Sequence, residues 1–331
     1  MPSFTVYKGS QSGAIVKATT ERPALSGDEV LVKVTASGLC GTDLHYKTTD
    51  MALGHEGVGV VAELGPQTKL LKVGDRVGWG YQHDNCAHCD QCQTGREVYC
   101  DERAMFGYAD LDQGSFADAG VWREAFLFKI PDGLTDAEAA PLQCGGATVW
   151  TCFDDYKIPS TARVGILGIG GLGHLAIQFA AKRGNDVVVF SGTDSKKEEA
   201  FRLGASEFYA TKGLKEIKIG KKLDYLLVCT SAHIDWAQYF PIMAPNSTLF
   251  PLSVDSGDLV LPYMPLLTSG ITVQGTIVAS RATHRRMLEF SARHGVKPML
   301  NTFPMTVEGI ELACKTLDEG KMRYRGVLIP Q

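Results

Sequence analysis

No apolar run in the 331 residues approaches the roughly 20 that a membrane-spanning helix needs. No block of lysine and arginine appears, and the formal net charge is −4. Neither nucleic acid nor a membrane surface is therefore an expected partner. The opening stretch MPSFTVYKGSQSG lacks an apolar core, so no secretory signal is expected there. Internal repeats and low-complexity segments are also missing. Hydrophobic residues at 44% and charged residues at 21% describe an ordinary globular chain. Without an export signal the expected compartment is the reducing cytoplasm, where disulfides are disfavoured. Nine cysteines must then be metal ligands, nucleophiles or core residues.

The length suits two domains better than one. The first ~145 residues hold short β-like runs between glycine turns, such as VLVKV (30–34) and VGVVAE (58–63), which predicts a barrel-like β domain. Strand and helix then alternate: ARVGIL (162–167), LGHLAIQFAAKR (172–183), VVVF (187–190), KKEEAFRL (196–203) and LDYLLVC (223–229). That alternation predicts a parallel, doubly wound α/β sheet. A helix, HRRMLEFSAR (284–293), and a strand-like tail close the chain. The expected division is 1–146 with 284–331 for the first domain and 147–283 for the second.

Residues 163–175 read RVGILGIGGLGHL, in which Gly168, Gly170 and Gly173 fit G-x-G-x-x-G between a strand and a helix. The first glycine permits a tight turn, the second a close approach of backbone to a pyrophosphate, and the third close helix–strand packing. With Gly171 and Leu172 these form the expected dinucleotide loop, the phosphates facing a helix N-terminus. The next strand ends on Ser191, not on the acid that would hold a ribose 2′-hydroxyl. Hydroxyls and a lysine, Ser191, Thr193 and Lys196, suit a 2′-phosphate and favour NADP(H) over NAD(H). Asp194 is the counter-argument.

Cys86, Cys89, Cys92 and Cys100 fall within fifteen residues, spaced C-x2-C-x2-C-x7-C. Four thiolates satisfy tetrahedral Zn²⁺ and leave no open position, which makes a structural site on a loop at about 83–101. An iron–sulfur cluster uses similar spacings and stays open at this level. A second set, Cys40, His55, Glu56 and Cys144, holds possible zinc ligands, of which Cys40, His55 and Cys144 would supply the three that a catalytic zinc wants, with water or Glu56 in the fourth place.

Together these stretches resemble the zinc-dependent medium-chain dehydrogenase/reductase family, in its cinnamyl-alcohol-dehydrogenase-like branch with fungal and yeast-type alcohol dehydrogenases. The carrying motifs are GLCGTDLH (38–45), GHEGVGVVAELG (54–65), VGDRVGWG (73–80), the four-cysteine loop, APLQCGGATVW (140–150), GIGGLGH (168–174) and RYRGVLIP (323–330). The resemblance implies a GroES-like catalytic domain and a Rossmann-type cofactor domain with the active site in the cleft between them. It implies two zincs per chain: a catalytic one on Cys40, His55 and Cys144, and a structural one on the four clustered cysteines. Glu56 is implied as the group that exchanges with zinc-bound water, Thr42 and His45 as a proton relay, and Asp43 as the residue orienting the ligand histidine. Ile277 is implied near the nicotinamide. A homo-oligomer, dimer or tetramer, is expected.

Two departures stand out. Only nine residues, 46–54, separate His45 from His55, so a segment that usually walls the substrate cleft is short. Gly41 replaces the His or Arg that often follows the first ligand cysteine. Tyr46, Met51, Trp79 and Tyr81 are the expected apolar wall, which would suit aromatic or medium-chain aldehydes. The expected activity is reduction of an aldehyde, or oxidation of a primary alcohol, with NADP(H). Reduction of C=C or C=N bonds would not need the relay, and Thr42 and His45 are present. A polyol dehydrogenase fits Cys144 and the intact four-cysteine loop less well. A nucleotide-binding protein without activity would have lost ligands, and none is lost.

Overall fold

The strand Glu29–Leu39 alternates, with Val30, Val32 and Val34 buried and Lys33 exposed, the pattern of a sheet with one face on a core. It pairs antiparallel with Gly57–Leu64, Ala119–Arg123 and Arg325–Ile329. Arg76–Trp79 and Phe128–Lys129 extend one side, and Leu300–Pro304 lies parallel on the other. Phe4, Val77, Trp79, Phe116 and Leu328 fill the core beneath. The coordinates are a computed structural model that describes residues 1–254 and 257–331.

Two units result, Met1–Ala147 with Val278–Gln331, and Thr148–Ile277. The chain rejoins the first unit at Val278 rather than at 284. The helix is longer than its apolar pattern suggests: it runs Arg281–His294, capped by the Ser280 side chain, and lies wholly in the first unit.

In the second unit six strands form a parallel sheet. Their order is Glu207–Ala210, Asp186–Ser191, Arg163–Leu167, Leu223–Val228, Met243–Pro251, Thr272–Val273. By chain order this is 3-2-1-4-5-6, the doubly wound arrangement that binds dinucleotides beyond the carboxyl ends of its strands. Arg163 ties the opposite end, donating to Asp186, to Glu207 at 2.6 Å and to the Lys221 carbonyl at 3.0 Å.

Register explains why distant residues meet. Ser37 pairs with Gly57, and Leu39 with Gly326. Cys40, Glu56 and Arg325 therefore leave the same end of three neighbouring strands. Among the described residues no helix is long and apolar enough to cross a membrane.

Candidate active site and metal centres

One ligand atom each from Cys40, His55, Glu56 and Cys144 lies within 4.8 Å of the others. Cys40 caps the short helix Gly41–Tyr46, and Cys144 follows the turn Ala140–Gln143. Asp43, fully buried, organises the group. Its Oδ2 accepts from the Cys40 backbone N–H at 2.9 Å. Its Oδ1 takes the Gly54 N–H at 3.1 Å and faces His55 Nδ1 at 3.0 Å. The imidazole proton then sits on Nδ1, and the Nε2 lone pair is free. His55 Nε2 and Glu56 Oε2 are buried without a hydrogen-bond partner. Leaving such atoms unsatisfied costs about 1–3 kcal/mol each, so a bound cation is the fitting occupant. Two sulfurs, an imidazole nitrogen and a carboxylate are a donor set that zinc accepts.

Electrostatics among these side chains reflect the crowding. Hydrogen bonding from the Cys144 thiol holds Cys40 well below the ordinary thiol range, and the same bond, with burial, pushes Cys144 up. Burial opposes charge on His55, but Asp43 and the Cys40 thiolate carry it well above its usual value. Burial lifts Glu56 to about 7, against the pull of Arg325. The Arg325 guanidinium, itself buried, donates to Glu56 Oε1. Sequence reading missed this arginine. Only the pairing of the terminal strand with Leu39 brings it here, although its place in RYRGVLIP was a signal. Gly38 is required at this point, because a Cβ there would lie 1.9 Å from Glu56 Oε2.

Thr42 Oγ1 is 3.7 Å from Cys40 Sγ. His45, one turn on and exposed, makes no direct hydrogen bond to Thr42 among the described residues. Around His55 the expected wall is partly corrected. Tyr81 meets the imidazole edge-on with centroids 5.4 Å apart, and Tyr46 stacks edge-on to Phe106 at 5.4 Å. Trp79 and Met51 are instead fully buried core. Phe106, 4.7 Å from His55, comes from a loop the sequence did not single out, and Tyr108 on the same loop is exposed. Gly107 lies against Tyr46, where a Cβ would approach its ring to 2.2 Å.

The four clustered cysteines also converge. Cys86 is 3.8 Å from Cys92, Cys89 is 3.6 Å from Cys92, and Cys100 is 3.5 Å from Cys86, sulfur to sulfur. A disulfide needs about 2.05 Å, whereas a tetrahedron with bonds of about 2.3 Å has edges near 3.8 Å. All nine thiols are free of disulfides. His83, read from sequence as a loop residue, lies instead on the short strand Gln82–Asp84, buried and 5.4 Å from the Trp122 ring.

In the second unit Gly168 takes φ +93, and a Cβ on Gly173 would sit 1.8 Å from the Gly168 carbonyl oxygen. A Cβ on Gly170 would meet nothing within 4 Å. That leaves its backbone, with Gly171 and Leu172, open to a phosphate group. Ser191 ends its strand beside a hollow lined also by Thr211 and Lys212. The Lys212 N–H donates to the Gly192 carbonyl at 3.0 Å. These last two residues were missed, since only strand order places them next to Ser191. Thr193 Oγ1 lies 2.9 Å from Ser195 Oγ, and Lys196 Nζ donates to the Ile169 carbonyl at 2.7 Å. Lys196 thus stands over the glycine loop. Asp194 is exposed, and Ile277, which follows the strand Thr272–Val273 in sequence, is half-buried.

Residues 26–132 match the family described as alcohol dehydrogenase GroES-like domain, and residues 171–293 match zinc-binding dehydrogenase. An NADP-dependent alcohol dehydrogenase C 1 of Mycolicibacterium smegmatis is 32% identical, with 99% of this chain and 98% of that protein aligned. The chain belongs to the zinc-binding alcohol dehydrogenase family. An aldehyde reductase AdhA of Synechocystis is 33% identical over 92% of each chain. Among solved structures, a cinnamyl alcohol dehydrogenase from Sorghum bicolor superposes with TM-score 0.91 at 29% identity, covering 99% of this chain and 98% of its own. This member of the family therefore carries both domains that its relatives carry, the GroES-like and the doubly wound.

Proposed function

We propose that this chain is an NADP(H)-dependent zinc alcohol dehydrogenase that works on primary alcohols and their aldehydes, aromatic or medium-chain. The observation that carries the reading is the convergence of Cys40, His55, Glu56 and Cys144 around a point where His55 Nε2 and Glu56 Oε2 have no protein partner. Cys40, His55 and Cys144 would hold a zinc ion, whose Lewis acidity polarises the substrate oxygen. The glycine loop, Ser191, Thr193 and Lys196 would hold NADP(H), the hydride carrier.

The chain's own groups do the rest. Asp43 fixes the tautomer and direction of His55. Arg325 keeps Glu56 beside the other ligands and partly neutralises it. The Thr42 hydroxyl can accept and donate a proton, and exposed His45 can return it to solvent. Tyr46, Tyr81 and Phe106, packed edge to face, offer an apolar aromatic surface beside His55, suited to an aryl or alkyl chain.

A homodimer is part of the proposal. The helix Tyr263–Ser269 exposes Tyr263, Met264 and Leu267 next to the edge strand Thr272–Val273. An open edge with apolar neighbours is a site for pairing with a second copy. A cytoplasmic setting is also part of the proposal, since thiolate metal ligands are kept by a reducing compartment.

The deciding assay follows oxidation of NADPH and NADH across an aldehyde panel, with zinc quantified per chain. Turnover with NADPH and an aryl aldehyde, at two zincs per chain, is the expected result. Aldehyde turnover that survives complete removal of zinc would sink the reading. Light scattering tests the dimer.

A further inference from the structure

Gln143, immediately before Cys144, is buried and held on several sides. Its Nε2 donates to the Ala139 carbonyl at 3.0 Å, and its Oε1 accepts from His284 Nε2 at 2.9 Å. The assignment is self-consistent. The amide nitrogen must face the carbonyl, so the amide oxygen faces the imidazole, and the ring proton sits on Nε2. A Cβ on Gly78 would lie 2.6 Å from the Gln143 amide, and one on Gly80 2.4 Å from its carbonyl oxygen. Two glycines thus make room for this one residue.

His284 is equally fixed. Its ring stacks on Phe128 with centroids 4.0 Å apart and planes at 14°. Burial pushes its pKa down to about 3, so the imidazole stays neutral. It lies in the first turn of the helix Arg281–His294, and that turn also reaches the four-cysteine loop. The Arg281 backbone N–H and Nε donate to Glu97 Oε1 at 2.8 and 3.1 Å. The Arg281 guanidinium lies 5.1 Å over the Phe126 ring. Glu97 is buried and sits in sequence between the ligands Cys92 and Cys100.

We propose that this helix turn is a positioning strut between the two metal sites: His284 holds Gln143, and through it Cys144, while Arg281 holds Glu97 of the four-cysteine loop. None of the four residues is a ligand, so all act through their neighbours. The physical reason is that a metal ligand binds best when its backbone cannot drift. Groups that support ligands in this way are commonly worth 10–100-fold in metal affinity.

The inference rests on the zinc reading, and the experiment separates the two. Zinc per chain is measured first in the wild type. The rate at which each zinc passes to a chromogenic chelator is then followed, together with the visible spectrum after cobalt substitution at the catalytic position. Gln143→Leu and His284→Phe should each speed release of the catalytic metal about 10-fold and shift the cobalt spectrum. The double variant should do no more than the larger single, because both cut one link. Arg281→Met should speed release from the four-cysteine site and, less strongly, from the catalytic one. His284→Gln, which keeps an N–H donor, should hold the metal nearly as wild type, and Gln143→Leu carries the test if His284→Phe does not fold. Two zincs in the wild type, with a folded Gln143→Leu or His284→Phe that releases metal no faster and keeps the cobalt spectrum, would overturn the strut alone. Additive single effects, or His284→Gln as leaky as Gln143→Leu, would overturn it as well. Fewer than two zincs in the wild type would remove the zinc reading and the strut together.

Discussion

His55 presents Nδ1 to Asp43 Oδ1 at 3.0 Å, while its other ring nitrogen is buried with no hydrogen-bond partner. One carboxylate thereby decides which nitrogen faces the ligand cluster. Asp43→Asn keeps the shape and weakens the acceptor, so zinc affinity should fall about 10–100-fold. Competition with a graded chelator measures it. An unchanged affinity would mean that Asp43 only caps the helix.

The two metal sets should separate in their effects. Cys40→Ala should abolish turnover while the protein still folds, as read by circular dichroism and activity together. Cys92→Ala should chiefly lower the melting temperature and release one zinc, since a closed four-sulfur site adds folding energy rather than chemistry. Wild-type activity in Cys40→Ala would remove the zinc mechanism.

Cofactor choice should turn on Ser191. A carboxylate at that strand end repels a 2′-phosphate and binds a 2′-hydroxyl. Ser191→Asp should raise KM for NADPH by about tenfold or more, a loss of roughly 1.4 kcal/mol, and lower that for NADH. Steady-state kinetics with both cofactors decides it, and an unaltered NADPH preference would count against this strand end as the selector.

Acid stability gives a test away from the site. His83 Nδ1 faces Asp110 Oδ2 at 3.1 Å, and Arg22 reaches Asp110 Oδ1 at 3.2 Å. His83 first, then Arg22, against burial, brings the Asp110 carboxyl down to about 2. A depressed carboxylate contributes stability above its ordinary value near 4, and that contribution is lost as pH falls from there toward 2. Asp110→Asn should therefore be less stable than wild type at pH 6, with the gap closing below pH 4. Asparagine tolerates the positive φ of 50 at this position, so backbone strain does not confuse the comparison. Paired urea titrations at each pH show whether the gap narrows.

Much of this molecule was legible as a string. The glycine loop could be read because a tight turn and a close helix approach exclude side chains at Gly168 and Gly173, and that exclusion is local. The four-cysteine loop could be read because its ligands are neighbours in sequence. Ser191 could be read because a strand end needs only its own strand to define it. The pocket wall was read less well. Trp79 lies close to the metal motifs in sequence, yet strand alternation turns it into the core, while Phe106 and Tyr108 arrive on a loop with no periodic pattern. The return of the chain at Val278 was also missed, since a helix boundary set by the Ser280 cap leaves little trace in apolar spacing.

Residue types and their spacing by themselves pointed to the two kinds of unit, the glycine loop and the four clustered cysteines, because each depends on chemistry within one short segment; Cys40 and Cys144, more than a hundred positions apart, were singled out only through the family resemblance. Tertiary structure alone decided that Arg325 stands against Glu56 and that His284 holds Gln143. Those contacts join residues hundreds or more than a hundred positions apart. What brings them together is strand register and the packing of buried polar groups, and neither is written in any local stretch of the chain.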